Sequence, residues 1–235
     1  MLELHGVSYR YPGYRRAALD EVDLVVDDGE VVGLVGPNES GKSTLCLVAA
    51  GLAPGSIGGE LRGGAHADGA VGIVFGNPAD QLSGTAGTVF EEVAFGPINL
   101  GLPVAETVAR TRSALAALGI QALAERPPDH LSGGEGQLVA IASILAMRPR
   151  CLVLDEPVAE LDPEGRRLVG EALRSLAQSG TALLIAEHDL DLLAGICGRL
   201  VAIDGGRIVL DLPTADALRD PRLAELGLRG VGASG

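Results

Sequence analysis

Five short apolar runs, VVGLV (31–35), VGIVF (71–75), CLVLD (151–155), ALLIA (182–186) and LVAI (200–203), are each bounded by turn-forming residues. Runs of that length read as strands, and stretches with helical period lie between several of them, at roughly 105–118, 134–147, 164–178 and 189–197. Strands alternating with helices dictate an α/β fold with a mainly parallel sheet, because the long crossover between parallel strands is most readily filled by a helix. With 3% aromatic residues and no Trp, Leu, Val, Ile and Ala must supply the core, which suits parallel strands covered on both faces. The first thirty residues differ: LELHGVSYRY and LDEVDLVV, joined by the turn-rich PGYRR, predict an antiparallel ribbon added to that sheet. Residues 53–70, rich in Gly and small side chains, are expected to form turns. No internal repeat occurs, so the chain reads as one module.

A formal charge of −13 argues against nucleic acid as a partner, since phosphate backbones demand a basic face. A small anion needs only a local positive site. No run reaches the roughly 18 apolar residues of a membrane span, and MLELHGVSYRYPG lacks the basic and apolar regions of a secretory signal. Any membrane association is therefore expected to come through a partner. Cys46, Cys151 and Cys197 are odd in number and lack paired metal spacing, so they are expected to be reduced core residues in a reducing compartment.

Of 18 basic residues only one is lysine, and it sits in GPNESGKST, 36–44. The stretch fits G-x-x-x-x-G-K-[ST] and lies between the strand VVGLV and the helical run TLCLVAAGL, the context a phosphate-binding loop requires. The loop formed by Gly36, Pro37, Asn38, Ser40, Gly41 and Thr44 would then surround phosphate oxygens with the main-chain N–H groups that all of these residues except Pro37 carry, and with the positive end of the helix. Lys42 would reach the terminal phosphates as a compact point charge, a task for which a guanidinium is the wrong shape, and the Ser43 hydroxyl would bind magnesium. Glu39 occupies a free position of the pattern and is expected to point outward.

CLVLDEP, 151–157, is an apolar strand ending in two acids. Strand ends of open α/β sheets face the ligand crevice, so Asp155 is a candidate for holding magnesium and Glu156 for polarising an attacking water.

LSGGEGQ, 131–137, shortly before that strand, resembles the signature sequence of ATP-binding cassette (ABC) ATPases. By itself the stretch reads as a helix start with little side-chain bulk at Ser132, Gly133 and Gly134, open to an anion from another molecule. The resemblance covers nearly the whole chain. It implies a P-loop NTPase core of RecA-like type at about 1–75 and 150–212, an antiparallel β subdomain, a helical docking and signature part at about 76–149, and a tail at 213–235. It further implies ATP and Mg2+ as cofactors, with Tyr11 stacking on adenine and Ser132, Gly133 and Gly134 meeting the γ-phosphate held by a second ATPase subunit. Asp162 of AELDP would act across that dimer, and His188 of AEHD would contact the γ-phosphate. FGNPADQLSG with TVFEEVAFGPINLGLP is similar to ATPases of energy-coupling factor importers, which move vitamins and transition-metal ions. That branch implies a transmembrane coupling subunit docked at 77–100, a substrate-binding membrane subunit, and residence on the cytoplasmic face of the membrane. The rival readings are an ABC ATPase of soluble machinery, such as iron-sulfur cluster assembly, and a hydrolysis-impaired regulatory partner in an ATPase heterodimer.

Two positions depart from the family pattern. Gly76 follows VGIVF where the family usually has a glutamine that helps bind magnesium and the attacking water; Gln81 belongs to a separate DQ element and does not replace it. Glu135 and Gly136 lie inside the signature, where a glycine weakens a helix start slightly. Either the subunit hydrolyses slowly beside a more complete partner, or magnesium and Glu156 suffice.

Overall fold

All five apolar runs become strands, since Val, Leu and Ile pack well on a pleated surface covered on both sides. The computed structural model describes residues 1–228; the end of the 213–235 tail, from 229 on, lies outside the described residues. In chain order the strands are β1 (Leu2–Arg10), β2 (Leu19–Val26), β3 (Val31–Val35), β4 (Glu60–Ala67), β5 (Val71–Phe75), β6 (Cys151–Asp155), β7 (Ala182–Ala186), β8 (Arg199–Asp204) and β9 (Arg207–Pro213). The larger sheet has the order β5-β6-β7-β3-β8-β9, parallel except for β9.

Two expectations give way here. The N-terminal ribbon is not added to the parallel sheet; it forms a separate antiparallel sheet, β2-β1-β4. Its third strand comes from the stretch expected to be turns. The glycines that hide β4 in the sequence also shape it: Gly63 has φ +81°, and a Cβ there would lie 2.4 Å from the carbonyl oxygen of Gly6. The two backbones close up where the β1–β4 register shifts between His5 and Ser8.

The helices are α1 (Lys42–Ala49), α2 (Val89–Asn99), α3 (Val104–Ala117), α4 (Gly133–Leu145), α5 (Pro163–Gln178), α6 (Leu190–Ala194), α7 (Thr214–Ala217) and α8 (Pro221–Glu225). Helix α2 was not among the helices expected from periodicity; it starts at Thr88, whose hydroxyl accepts from the Glu91 N–H at 3.2 Å, and holds Pro97 in its last turn. Strand alternation divides the core in two. Val32, Leu34, Val153 and Leu184 face the small sheet and α1, whereas Val31, Val35, Leu152 and Leu154 face α2 to α5 on the opposite side. Cys46, Cys151 and Cys197 are all free and buried.

Arg199 ties the two sheets together. Its Nε donates to Glu30 Oε1 at 2.7 Å, its Nη1 to Asp211 Oδ2 at 2.8 Å, and its Nη2 to the Val25 carbonyl. Arg199→Met leaves the half-buried Glu30 and the more exposed Asp211 without this cation and is expected to lower stability by about 1–3 kcal/mol in urea titrations, with the far-ultraviolet spectrum unchanged.

Candidate functional site

The pairing β6-β7-β3 sets three strand ends side by side: Leu34 and Asp155 both lie opposite Ala186. The segments that follow, Gly36–Thr44, Asp155–Glu156 and Glu187–His188, therefore meet at the carboxyl edge of the sheet, where open α/β sheets hold ligands.

In the glycine loop, a Cβ on Gly36 would sit 2.3 Å from the Ile203 carbonyl oxygen, and one on Gly41 2.9 Å from that of Ala18, so neither position accepts a side chain. Gly41 at φ +112° turns the chain into α1, and Glu39 at φ +63° stands exposed, as expected. Lys42 is folded back into the loop, with Nζ donating to the carbonyls of Gly36 at 3.0 Å and Pro37 at 3.2 Å. Burial pulls its ammonium below the ordinary lysine value, opposed by the nearby Glu156 and Asp155.

The Ser43 hydroxyl donates to Asp155 Oδ1 at 3.1 Å. Burial raises the Asp155 carboxyl above its usual value, and the Ser43 hydrogen bond opposes that shift. An adjacent hydroxyl and carboxylate suit a hard divalent cation that keeps most of its waters and takes further oxygens from phosphate. Among the described residues no group of three or more His, Cys, Asp or Glu forms a closed metal cage. One oxygen of Glu156, Oε1, lies 2.8 Å from His188 Nε2 and 3.9 Å from Lys42 Nζ. Glu156 itself has φ +54°, a left-handed backbone that only firm surroundings sustain in a non-glycine residue.

Glu187 was not singled out in the sequence, although it stands in AEHD beside His188. It is 3% exposed; its Oε1 accepts the His188 backbone N–H at 2.7 Å, and its Oε2 has no partner. Burial raises its carboxyl above the ordinary value.

A cleft of about 630 Å³ opens over the loop, lined by Tyr11, Tyr14, Arg16, Asn38, Ser43, Thr44 and Glu156 among others. The Tyr11 hydroxyl is 3.2 Å from Thr44 Oγ1, and its ring meets Tyr14 edge-on at 6.3 Å. Tyr14 and Arg16 were missed; their signal was the dense YRYPGYRR run.

None of Ser132, Gly133, Gly134 or Asp162 lines this cleft. Ser132 and Gly133 are exposed at the start of α4, held by reciprocal bonds between Ser132 N–H and Glu135 Oε2 at 2.9 Å and between Glu135 N–H and Ser132 Oγ at 3.3 Å. The glutamate that departs from the signature pattern thus completes a capping box. Gly134 is buried, and a Cβ there would lie 2.6 Å from the Gly165 Cα, so α4 and α5 cross backbone to backbone. Asp162 caps α5, accepting from the Gly165 N–H at 2.7 Å. At Gly76 a Cβ would lie 2.8 Å from the Glu156 carbonyl oxygen.

Two outcomes test this geometry. Lys42→Ala is expected to weaken nucleoside triphosphate binding by roughly 100-fold, about 2.7 kcal/mol, in calorimetric titration, with Lys42→Arg little better. Glu135→Ala removes the reciprocal cap and is expected to cost about 1 kcal/mol. The hydrogen bond from the Ser132 N–H holds the Glu135 carboxyl below its ordinary 4.5, so this contribution is present above that value and fades as pH falls through the lowered one; the variant's deficit in thermal stability shrinks accordingly.

The ABC transporter family model matches residues 19–159. The cobalt import ATP-binding protein CbiO of Rhodobacter capsulatus is 42% identical over 240 residues, covering 97% of this chain and 85% of that protein. The energy-coupling factor transporter ATP-binding protein EcfA of Methanothermobacter thermautotrophicus is 39% identical over 233 residues, covering 95% of this chain and 74% of that one. Among solved structures, cbiO1 of Clostridium perfringens, part of the ABC transporter complex cbiONQ, superposes with a TM-score of 0.81 at 30% identity over 97% of this chain and 94% of its own. With a loop that holds its lysine against an acidic strand end, and with these relatives along nearly its whole length, the chain belongs to the ATP-binding ATPases of the ABC transporter family.

Proposed function

We propose that this chain is the ATP-hydrolysing subunit of an importer of the energy-coupling factor type, carrying a vitamin or a transition-metal ion. The observation that carries the reading is the division of parts: Lys42, Ser43, Asp155, Glu156 and His188 converge at one edge of the sheet, while Ser132 and Gly133 stand exposed outside the cleft. A site so divided is completed when a second ATPase subunit presents its exposed helix start to the triphosphate. Lys42 and the loop N–H groups bind the phosphates, and Tyr11 supports the adenine. Glu156 orients and deprotonates the attacking water, held in place by His188, which also reaches the γ-phosphate. Asp162 acts at the contact between subunits. Ser43 and Asp155 hold Mg2+, which when bound neutralises charge on the phosphate oxygens.

The membrane partner is supported by a second feature. Phe95, Ile98, Leu100 and Val104 form an exposed apolar face on α2, α3 and their connection, with Ile98 59% and Val104 80% exposed. No helix among the described residues is long and apolar enough to cross a membrane. A transmembrane coupling subunit seated there, with a separate membrane subunit reading the cargo, places the chain at the cytoplasmic face of the membrane as a peripheral subunit.

Purification of the tagged chain from membranes is expected to bring membrane proteins with it, and ATP turnover of the complex is expected to disappear in Glu156→Gln while ATP binding persists. Recovery of soluble partners alone favours the soluble-machinery alternative. Phe95→Asp together with Ile98→Asp is expected to strip the membrane partners and leave ATP affinity unchanged. Removal of Mg2+ by a chelator, or Asp155→Asn, is expected to abolish turnover.

A further inference from the structure

Position 76 is glycine, yet the strand end before it is held with unusual care. The Phe75 N–H donates to Gln81 Oε1 at 3.0 Å, and Gln81 Nε2 donates onward to the Ile73 carbonyl at 2.8 Å, so one side chain brackets the free edge of β5. From α4, Gln137 Nε2 donates to the Phe75 carbonyl at 2.8 Å. Gln137 is completely buried, and its other amide atom, Oε1, has no partner. Facing a carbonyl, only the N–H side of the amide can make the bond, so the orientation is fixed. A buried amide with half its capacity unused costs stability that an apolar side chain would not.

Phe75 is opposite Asp155 in the β5–β6 register, and Gly76 follows it beside Glu156. The absent Cβ allows the chain at 76 to press to within 2.8 Å, measured from where that Cβ would be, of the Glu156 carbonyl oxygen. Glu156 holds its left-handed φ of +54° in that contact. Such a conformation persists only where neighbours over-determine it.

We propose that Gln137 is a positioning residue for hydrolysis. Its amide holds the Phe75 carbonyl so that Gly76 lies against the main chain of Glu156 and fixes that carboxylate by backbone packing, with Gln81 securing the same strand end from the open edge. Backbone contact thereby supplies the rigidity of a segment that has no side chain at 76. The inference rests on Glu156 acting in hydrolysis as proposed above.

The test uses the complex purified from membranes, with Gln137→Met, Gln137→Glu, Gly76→Ala and the Gln137→Met/Gly76→Ala pair. Gln137→Met is expected to lower kcat about tenfold, with ATP affinity and melting temperature little changed and faster hydrogen exchange at 75–77. Gln137→Glu cannot donate while ionised, so its kcat is expected to be low at alkaline pH and to recover toward wild type as the buried carboxyl protonates. The double variant is expected to be no slower than the slower single one. Gln137→Met turnover within twofold of wild type, a fall in kcat matched by equal falls in affinity and melting temperature, or a flat pH profile for Gln137→Glu overturns the proposal. If Gln137→Met does not fold, Gln81→Leu carries the same expectation and normal turnover there overturns it. A Glu156→Gln complex as active as wild type sinks the hydrolysis reading itself, whereas an inactive one beside a normal Gln137→Met sinks only the role of Gln137.

Discussion

Parallel pairing of β6, β7 and β3 is the constraint on which the site depends. Ser43 and Asp155 are 112 positions apart in the chain and 3.1 Å apart in space because β3, which leads through the glycine loop into α1, and β6, which ends at Asp155, both flank β7. The same pairing delivers His188, two residues past the end of β7, to the carboxylate of Glu156. The outer layers serve this arrangement: α1 and the small antiparallel sheet bury one face of the central strands, and α2 to α5 bury the other.

Electrostatics explains why the site is poised. Three carboxyl groups, Asp155, Glu156 and Glu187, stand near one buried ammonium in a chain that is acidic overall. Burial raises Asp155 and Glu187 and lowers Lys42, so each group is held in surroundings that disfavour its charge. A triphosphate adds anionic charge to this region, which the loop N–H groups and Lys42 are placed to receive. The exposed start of α4 is equally prepared, with Ser132 and Glu135 satisfying each other and the helix end turned to solvent.

Legibility in the sequence varied with the kind of interaction involved. The five central strands were legible because burial on both faces leaves unbroken apolar runs, and the glycine loop was legible because its lysine and glycines are contiguous. Strand β4 was not, since its glycines serve close approach to Gly6 and look like turn chemistry when read alone. Helix α2 was obscured by Gly96 and Pro97 near its end, where Gly96 makes room for Met147. The cap formed by Glu135 looked like a departure from a pattern until the fold showed its partner. Gln81 and Gln137 stood inside motifs legible in the sequence, but that both bond the backbone of Phe75 was not, because one acts from the loop after β5 and the other from α4.

The sequence by itself determined the fold class, the phosphate loop and the identity of the acids and histidine at the strand ends, because apolar periodicity and contiguous motifs are properties of neighbouring residues. Only the tertiary structure decided which of those groups share an oxygen of Glu156, that the N-terminal ribbon makes its own sheet, and that Gly76 meets the main chain of Glu156. Those contacts depend on strand register and on the packing of helix against sheet, which are set by distant parts of the chain acting together.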